Sequence, residues 1–268
     1  MEAIAQHEQP GAAWRLLDPR STAAVTVPLI ALGVGGWYLT IRQARDMSGM
    51  ITGLGQIGTH MPNDMAVPAF MVMWLWMMVA MMLPAIGPVV LAQRMLVRDR
   101  GEGALVSAAL VAAYLGVWLL AGLVPLLAFL GFRNLPMEAS PWLPITGGAV
   151  LLIAGAYQFT PWKRTCLQAC RSPLAFVTRH DAKPGSGAAL RAGAAYGSYC
   201  VGSCSAMMAV LVVVGLMNLV WMAAIAFVFL AEKNWRGGVW LTRVAGAGVA
   251  AIGVAVAIMP SVLPAISR

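Results

Sequence analysis

The chain has 268 residues, of which 60% are apolar and 10% charged, with a mean hydropathy of +0.77. Soluble globular domains devote about 25% of their residues to charge, so this composition excludes an ordinary soluble globule and indicates an integral membrane protein. The net charge of +8 would suit nucleic acid, but no basic face with interleaved aromatics is present to bind it, and the expected partner is the lipid bilayer.

The expected fold is all-α: a polytopic transmembrane helix bundle of about seven spans, forming one integral membrane domain over residues 1–268. A hydrocarbon core of ~30 Å takes about 17–25 helical residues to cross. The first apolar span, 22–41, follows a polar segment with Glu2, His7, Glu8 and Asp18 and no small-x-small cleavage site, so it is expected to be retained. The loop 42–67 carries Met47, Met50, His60, Met61 and Met65. Thioether and imidazole ligands suit capture of a soft metal outside the cytosol, where thiols oxidise.

The second span, 68–92, is crowded with Met71, Met73, Met77, Met78, Met81 and Met82. At 100° per residue Met71, Met78 and Met82 share an arc of about 40°, while the others point elsewhere and suit adaptable packing. Pro84 removes a backbone donor and should kink this helix near its inner end. Spans 104–131 and 142–160 follow. The inner loop 161–188 holds Cys166-x-x-x-Cys170 beside Lys163, Arg164 and Arg171, cations that should favour thiolate over thiol.

The apolar run 189–233 would be ~67 Å long as one helix, too long for a bilayer. It is expected to break at Gly215-Leu216-Met217-Asn218 into spans 189–214 and 216–233, and span 239–260 completes the set. In 189–214, Gly193, Gly197, Cys200, Cys204, Met207 and Leu211 fall within about 80°. Gly193-x-x-x-Gly197 is a spacing for close helix approach, so this stripe should face protein. If it meets the second span, Met78 and Cys200 sit near mid-membrane, with Cys204, Met207 and Met71 outward and Met82 inward. Glu232-Lys233 is expected as a boundary charge pair.

One set of segments holds Arg15, Arg20, Arg94, Arg98, Arg100, Lys163, Arg164, Arg171, Arg179, Lys183, Arg191, Lys233 and Arg236, against Arg42, Arg45, Arg133 and Arg268 on the other side. The positive-inside rule then puts the N-terminus in the cytosol and the C-terminus outside. Trp37, Trp142, Trp162, Trp221, Trp235 and Trp240 near span ends fit an interfacial aromatic belt.

Trp76 to Pro84, Tyr157-Gln158-Phe159-Thr160-Pro161-Trp162-Lys163, Cys166-Leu167-Gln168-Ala169-Cys170-Arg171-Ser172-Pro173, Gly197 to Cys204, Met217-Asn218-Leu219 and Glu232-Lys233 occur in this order. In these motifs, over about residues 68–238, the chain resembles a bacterial family of predicted metal-binding integral membrane proteins carrying a domain of unknown function (DUF2182-like). The resemblance implies a membrane fold and a metal role without naming a reaction. In that family the second cysteine motif often has adjacent cysteines and a following tryptophan, where this chain has Ser203 and Ser205.

The expected function is binding of a soft metal ion, foremost Cu(I), for transport or delivery, with a metallochaperone or another membrane protein as partner. The candidate ligands are Cys166, Cys170, Cys200, Cys204, Met78, Met82, Met71, Met207, His60 and Met61. The cysteine pairs are expected to form two sites, one within the membrane and one at the inner face. The alternatives are a membrane thiol–disulfide oxidoreductase and an assembly subunit whose glycine stripe binds another membrane protein. No phosphate-binding G-x-x-x-x-G-K-[ST] loop occurs, and His7, His60 and His180 all lie in polar segments, so an enzyme is the less favoured reading.

Overall fold

A computed structural model describes residues 19–46, 67–132, 142–181, 183–216 and 218–259, and among them every regular element is helical. The helices are α1 (Pro19–Asp46), α2 (Val67–Asp99), α3 (Ala104–Ala121), α4 (Leu123–Phe132), α5 (Trp142–Tyr157), α6 (Pro161–Arg171), α7 (Pro173–His180), α8 (Ser186–Val214), α9 (Leu219–Asn234) and α10 (Gly238–Ile258).

Among the described residues, five helical segments are long and apolar enough to cross a membrane: Thr22–Arg45, Val67–Asp99, Ala104–Ala128, Ser186–Val214 and Gly238–Ile258. α5 and α9, expected as spans over 142–160 and 216–233, have 16 residues each, or about 24 Å of helix. The span expected over 104–131 is built as α3 and α4, which abut at Gly122. Pro125 has no N–H to return to the Ala121 carbonyl, so the hydrogen-bond ladder is interrupted there. α2 remains helical through both Pro84 and Pro88.

The break in the long apolar run falls where expected. α8 ends at Val214, Gly215 takes φ +113°, and the Asn218 side chain accepts from the Trp221 N–H at 3.2 Å to cap α9. A positive φ of this size favours glycine, and the Asn cap satisfies a donor left free at the helix start.

Two helix pairs organise the bundle, α3 with α8 and α5 with α10, while α1 lies along α2. The small-residue stripe of α8 does face another helix: a Cβ on Gly193 would lie 2.1 Å from the Leu110 carbonyl oxygen, and one on Gly197 2.9 Å from the Val117 side chain. Both neighbours belong to α3. This differs from the α2–α8 seam that would have aligned the methionines with Cys200. α2 packs chiefly on α1, α3, α7 and α9, because the smooth glycine face of α8 admits the α3 backbone.

The segment expected as the inner loop 161–188 contains two helices, α6 and α7. On α6, Lys163, Cys166, Leu167 and Cys170 are buried, the i, i+3, i+4, i+7 stripe of an amphipathic helix. That stripe lies against α8 and α9, while Trp162 and Arg164 remain exposed.

Candidate metal centre

α6 is launched by Thr160, whose hydroxyl accepts from the Lys163 N–H at 3.3 Å, with Pro161 at the first helical position. Both features favour a helix start. One turn in, Lys163 is fully buried, and its ammonium lies 3.0 Å and 3.2 Å from the two Glu232 carboxylate oxygens and donates to Gln158 Oε1. A buried charge needs such compensation, and this pair fixes α6 to α9.

Glu232 and Lys233 therefore do not form a boundary pair with each other. Glu232 is engaged by Lys163, and successive residues of a helix point about 100° apart. Lys233, also buried, directs its ammonium at Cys200 Sγ, 2.9 Å away. This cation in an apolar interior gives the α8 thiol a fixed positive neighbour.

Cys200 is the hub of the centre. It has no exposed surface, shares a 3.2 Å hydrogen bond with the Tyr114 hydroxyl of α3, and takes the Lys233 ammonium from α9. Ser203 Oγ donates to the Cys200 carbonyl at 2.9 Å and lies 3.5 Å from Cys204 Sγ and 4.0 Å from Cys170 Sγ. The Tyr196 hydroxyl reaches the Cys170 carbonyl at 3.4 Å. Cys170 of α6 and Cys200 and Cys204 of α8 thus form a loose chain linked through Ser203. The chain is not a closed cage: among the described residues, no group of three or more His, Cys, Asp and Glu is arranged to hold a metal ion.

The separation expected between an intramembrane pair and an inner-face pair is not what the helices build. α6 folds back onto α8, so Cys170 joins Cys200 and Cys204, whereas Cys166 lies over Gly202, where a Cβ would be 2.7 Å from its sulfur. Nor do the neighbouring cations activate the α6 thiols. Burial pushes the Cys166 thiol up, and the hydrogen bond to Cys200 together with burial pushes Cys170 well up. Lys163 is spent on Glu232, and Arg171 donates to the Glu232 carbonyl oxygen, so sequence adjacency overstated their reach.

Met78, Met82 and Met207 are buried in the common core and Met71 is half-buried against it. The polar contacts at the thiols come instead from Tyr114, Ser203 and Lys233. His60 and Met61, with the other methionines of segment 47–66, lie outside the described residues. The sequence did not mark Tyr114, and it marked Ser203 only as a departure from the resembling family's cysteine motif. Lys233 did carry a signal, as a lysine on an apolar helix.

Residues 71–256 match the model of a protein family described as copper chaperone, PpoB2. The chain belongs to the PpoB2 family. The PpoB2 match takes in α2 from Met71 and continues into α10, so it encloses all four cysteines, Tyr114 and Lys233. It agrees with the metal-binding family expected from the motifs. No curated protein and no solved structure matches the chain.

Proposed function

We propose that this protein is a multi-pass protein of the bacterial inner membrane that binds copper as Cu(I) at Cys200, with Cys170 and Cys204, and hands it to a recipient protein. The observation that carries this reading is the environment of Cys200 Sγ, with the Lys233 ammonium at 2.9 Å and the Tyr114 hydroxyl at 3.2 Å, beside a Ser203 hydroxyl that reaches both Cys170 and Cys204 Sγ. Cu(I) is soft and favours thiolate sulfur. Two thiolates around one Cu(I) carry a net charge of −1, and Lys233 supplies the compensating +1 inside a medium where an unbalanced charge is costly. The third thiol provides a place for the metal to move during exchange, since ligands can be replaced one at a time. The copper description of the family and the five membrane-length helices support the same reading.

Anaerobic purification followed by metal analysis tests the assignment. The wild type is expected to retain copper, and Cys200→Ser with Cys204→Ser to lose it, while Cys166→Ser keeps it. Wild-type copper content in the double variant overturns the site.

The approach of Cys170 to the Cys200–Cys204 turn, where its Sγ lies 4.0 Å from Ser203 Oγ, favours one second reading, a thiol–disulfide oxidoreductase, because these thiols come from different helices. Alkylation trapping in growing cells separates the two. A copper carrier keeps all the thiols reduced, whereas an oxidoreductase shows a fraction linked between Cys170 and Cys200.

A further inference from the structure

The face of α6 that does not reach the thiols borders a cavity of about 370 Å³ between the end of α5, α6 and the start of α10. Gln158, Lys163, Arg164, Arg171, Thr242 and Arg243 contribute to its wall, and among the described residues no Asp or Glu does. The charge of Lys163 is answered by Glu232 behind it, which leaves three guanidinium groups on one small cavity. Gln158 is nine-tenths buried or more, and its Oε1 is fixed toward the Lys163 ammonium, which can only donate. Its Nε2 is therefore the free end, a buried donor without a partner on the wall of the cavity. A donor in that position calls for an acceptor to arrive.

We infer that this cavity binds the phosphate of an anionic phospholipid headgroup. Guanidinium forks match phosphate oxygens in geometry and charge, and basic pockets between helices at the cytoplasmic side of a membrane are suited to lipid headgroups. Beside the cavity, Trp162 on α6 and Val239 and Trp240 on α10 are exposed. Such aromatic side chains sit at headgroup level, and the apolar surface they offer would contact glycerol and acyl chains. Free phosphate would use only the cationic wall.

The inference rests on the membrane reading but not on copper. The full-length protein in detergent is heated with phosphatidylglycerol, with phosphatidylcholine or with inorganic phosphate, and its unfolding is followed. Phosphatidylglycerol is expected to raise the unfolding temperature and phosphatidylcholine not to. Arg164→Gln with Arg243→Gln, at two exposed positions, should weaken the phosphatidylglycerol response by roughly tenfold in apparent affinity for each guanidinium lost. The corresponding double Lys variant should recover part of it. Gln158→Leu, which removes the unpartnered donor, should also weaken the response.

Equal stabilisation by the two lipids, or a phosphatidylglycerol response untouched by the double Gln variant, overturns the site. If inorganic phosphate reproduces the full effect, the lipid assignment falls and the cavity is a site for a free anion. Loss of the wild type from carbonate-washed membranes would instead overturn the membrane reading, so the two failures are distinguishable.

Discussion

At the scale of single residues, Lys233 does most to set the character of the centre. Its ammonium is buried with Cys200 as its 2.9 Å partner, so the thiol and the amine are each other's compensation. In the copper reading the same charge balances a Cu(I) bis-thiolate. Lys233→Met removes that balance while keeping an unbranched chain of similar length, and copper would then leave a net negative centre in an apolar surrounding. The expected result is a loss of Cu(I) affinity of about 10- to 100-fold, the range found when a group supporting a metal ligand is removed. Lys233→Arg should retain more of the affinity. Competition with a chromophoric Cu(I) chelator measures both, and unchanged affinity in the Met variant would remove Lys233 from the mechanism. The cysteines were legible from the sequence because their type and i, i+4 spacing are local facts. The lysine's partner was not, since it depends on how α9 is rotated against α8, which is decided by packing between distant segments.

At the scale of elements, the position of Cys200 depends on how closely α8 approaches α3. The stripe from Gly193 to Cys204 announced a helix contact, and the contact exists, but the stripe could not name its partner. Several neighbouring helices were apolar enough to take that place. Gly193 is the tightest point, since any Cβ there meets the Leu110 carbonyl oxygen, which belongs to backbone and cannot rotate away. Gly193→Ala is expected to destabilise the protein by about 1–3 kcal/mol, the usual cost of overpacking, and to separate Tyr114 from Cys200. Gly187→Ala on the same helix, with open space around its Cβ, should be nearly neutral and serves as the control. Thermal unfolding in detergent reads the difference, and equal stability of the two variants would refute the tight α3–α8 contact. The helical character of 161–180 escaped the sequence for a related reason. Its polar and basic residues suggested a loop, yet Lys163 is admitted to a buried stripe because Glu232 and Gln158 are waiting for it.

For the whole molecule, hydropathy predicted seven spans, and five segments have both the length and the apolar character to cross alone. The two short helices decide the topology of everything between them. With the N-terminus in the cytosol, α6 and α7 lie in the cytosol if α5 and α9 both cross and outside if neither does, and α10 runs outward in either case. Two physical arguments favour crossing. α5 packs along α10 through glycines, with a Cβ on Gly155 falling 2.8 Å from the Gly246 carbonyl oxygen, and such intimate small-residue contacts are characteristic of helices paired within lipid. The segment between α5 and α8 also carries Lys163, Arg164, Arg171, Arg179 and Lys183, with Arg191 near the start of α8, a concentration of cations that the positive-inside rule retains in the cytosol. A helix of 16 residues can still cross if the bilayer thins locally or flanking side chains extend to the interface, at a modest cost. Exposed Lys183 offers the test. With the native cysteines replaced, Lys183→Cys should resist a membrane-impermeant maleimide in intact spheroplasts and react once the membrane is opened. Labelling from outside would reverse the orientation of α6 to α8.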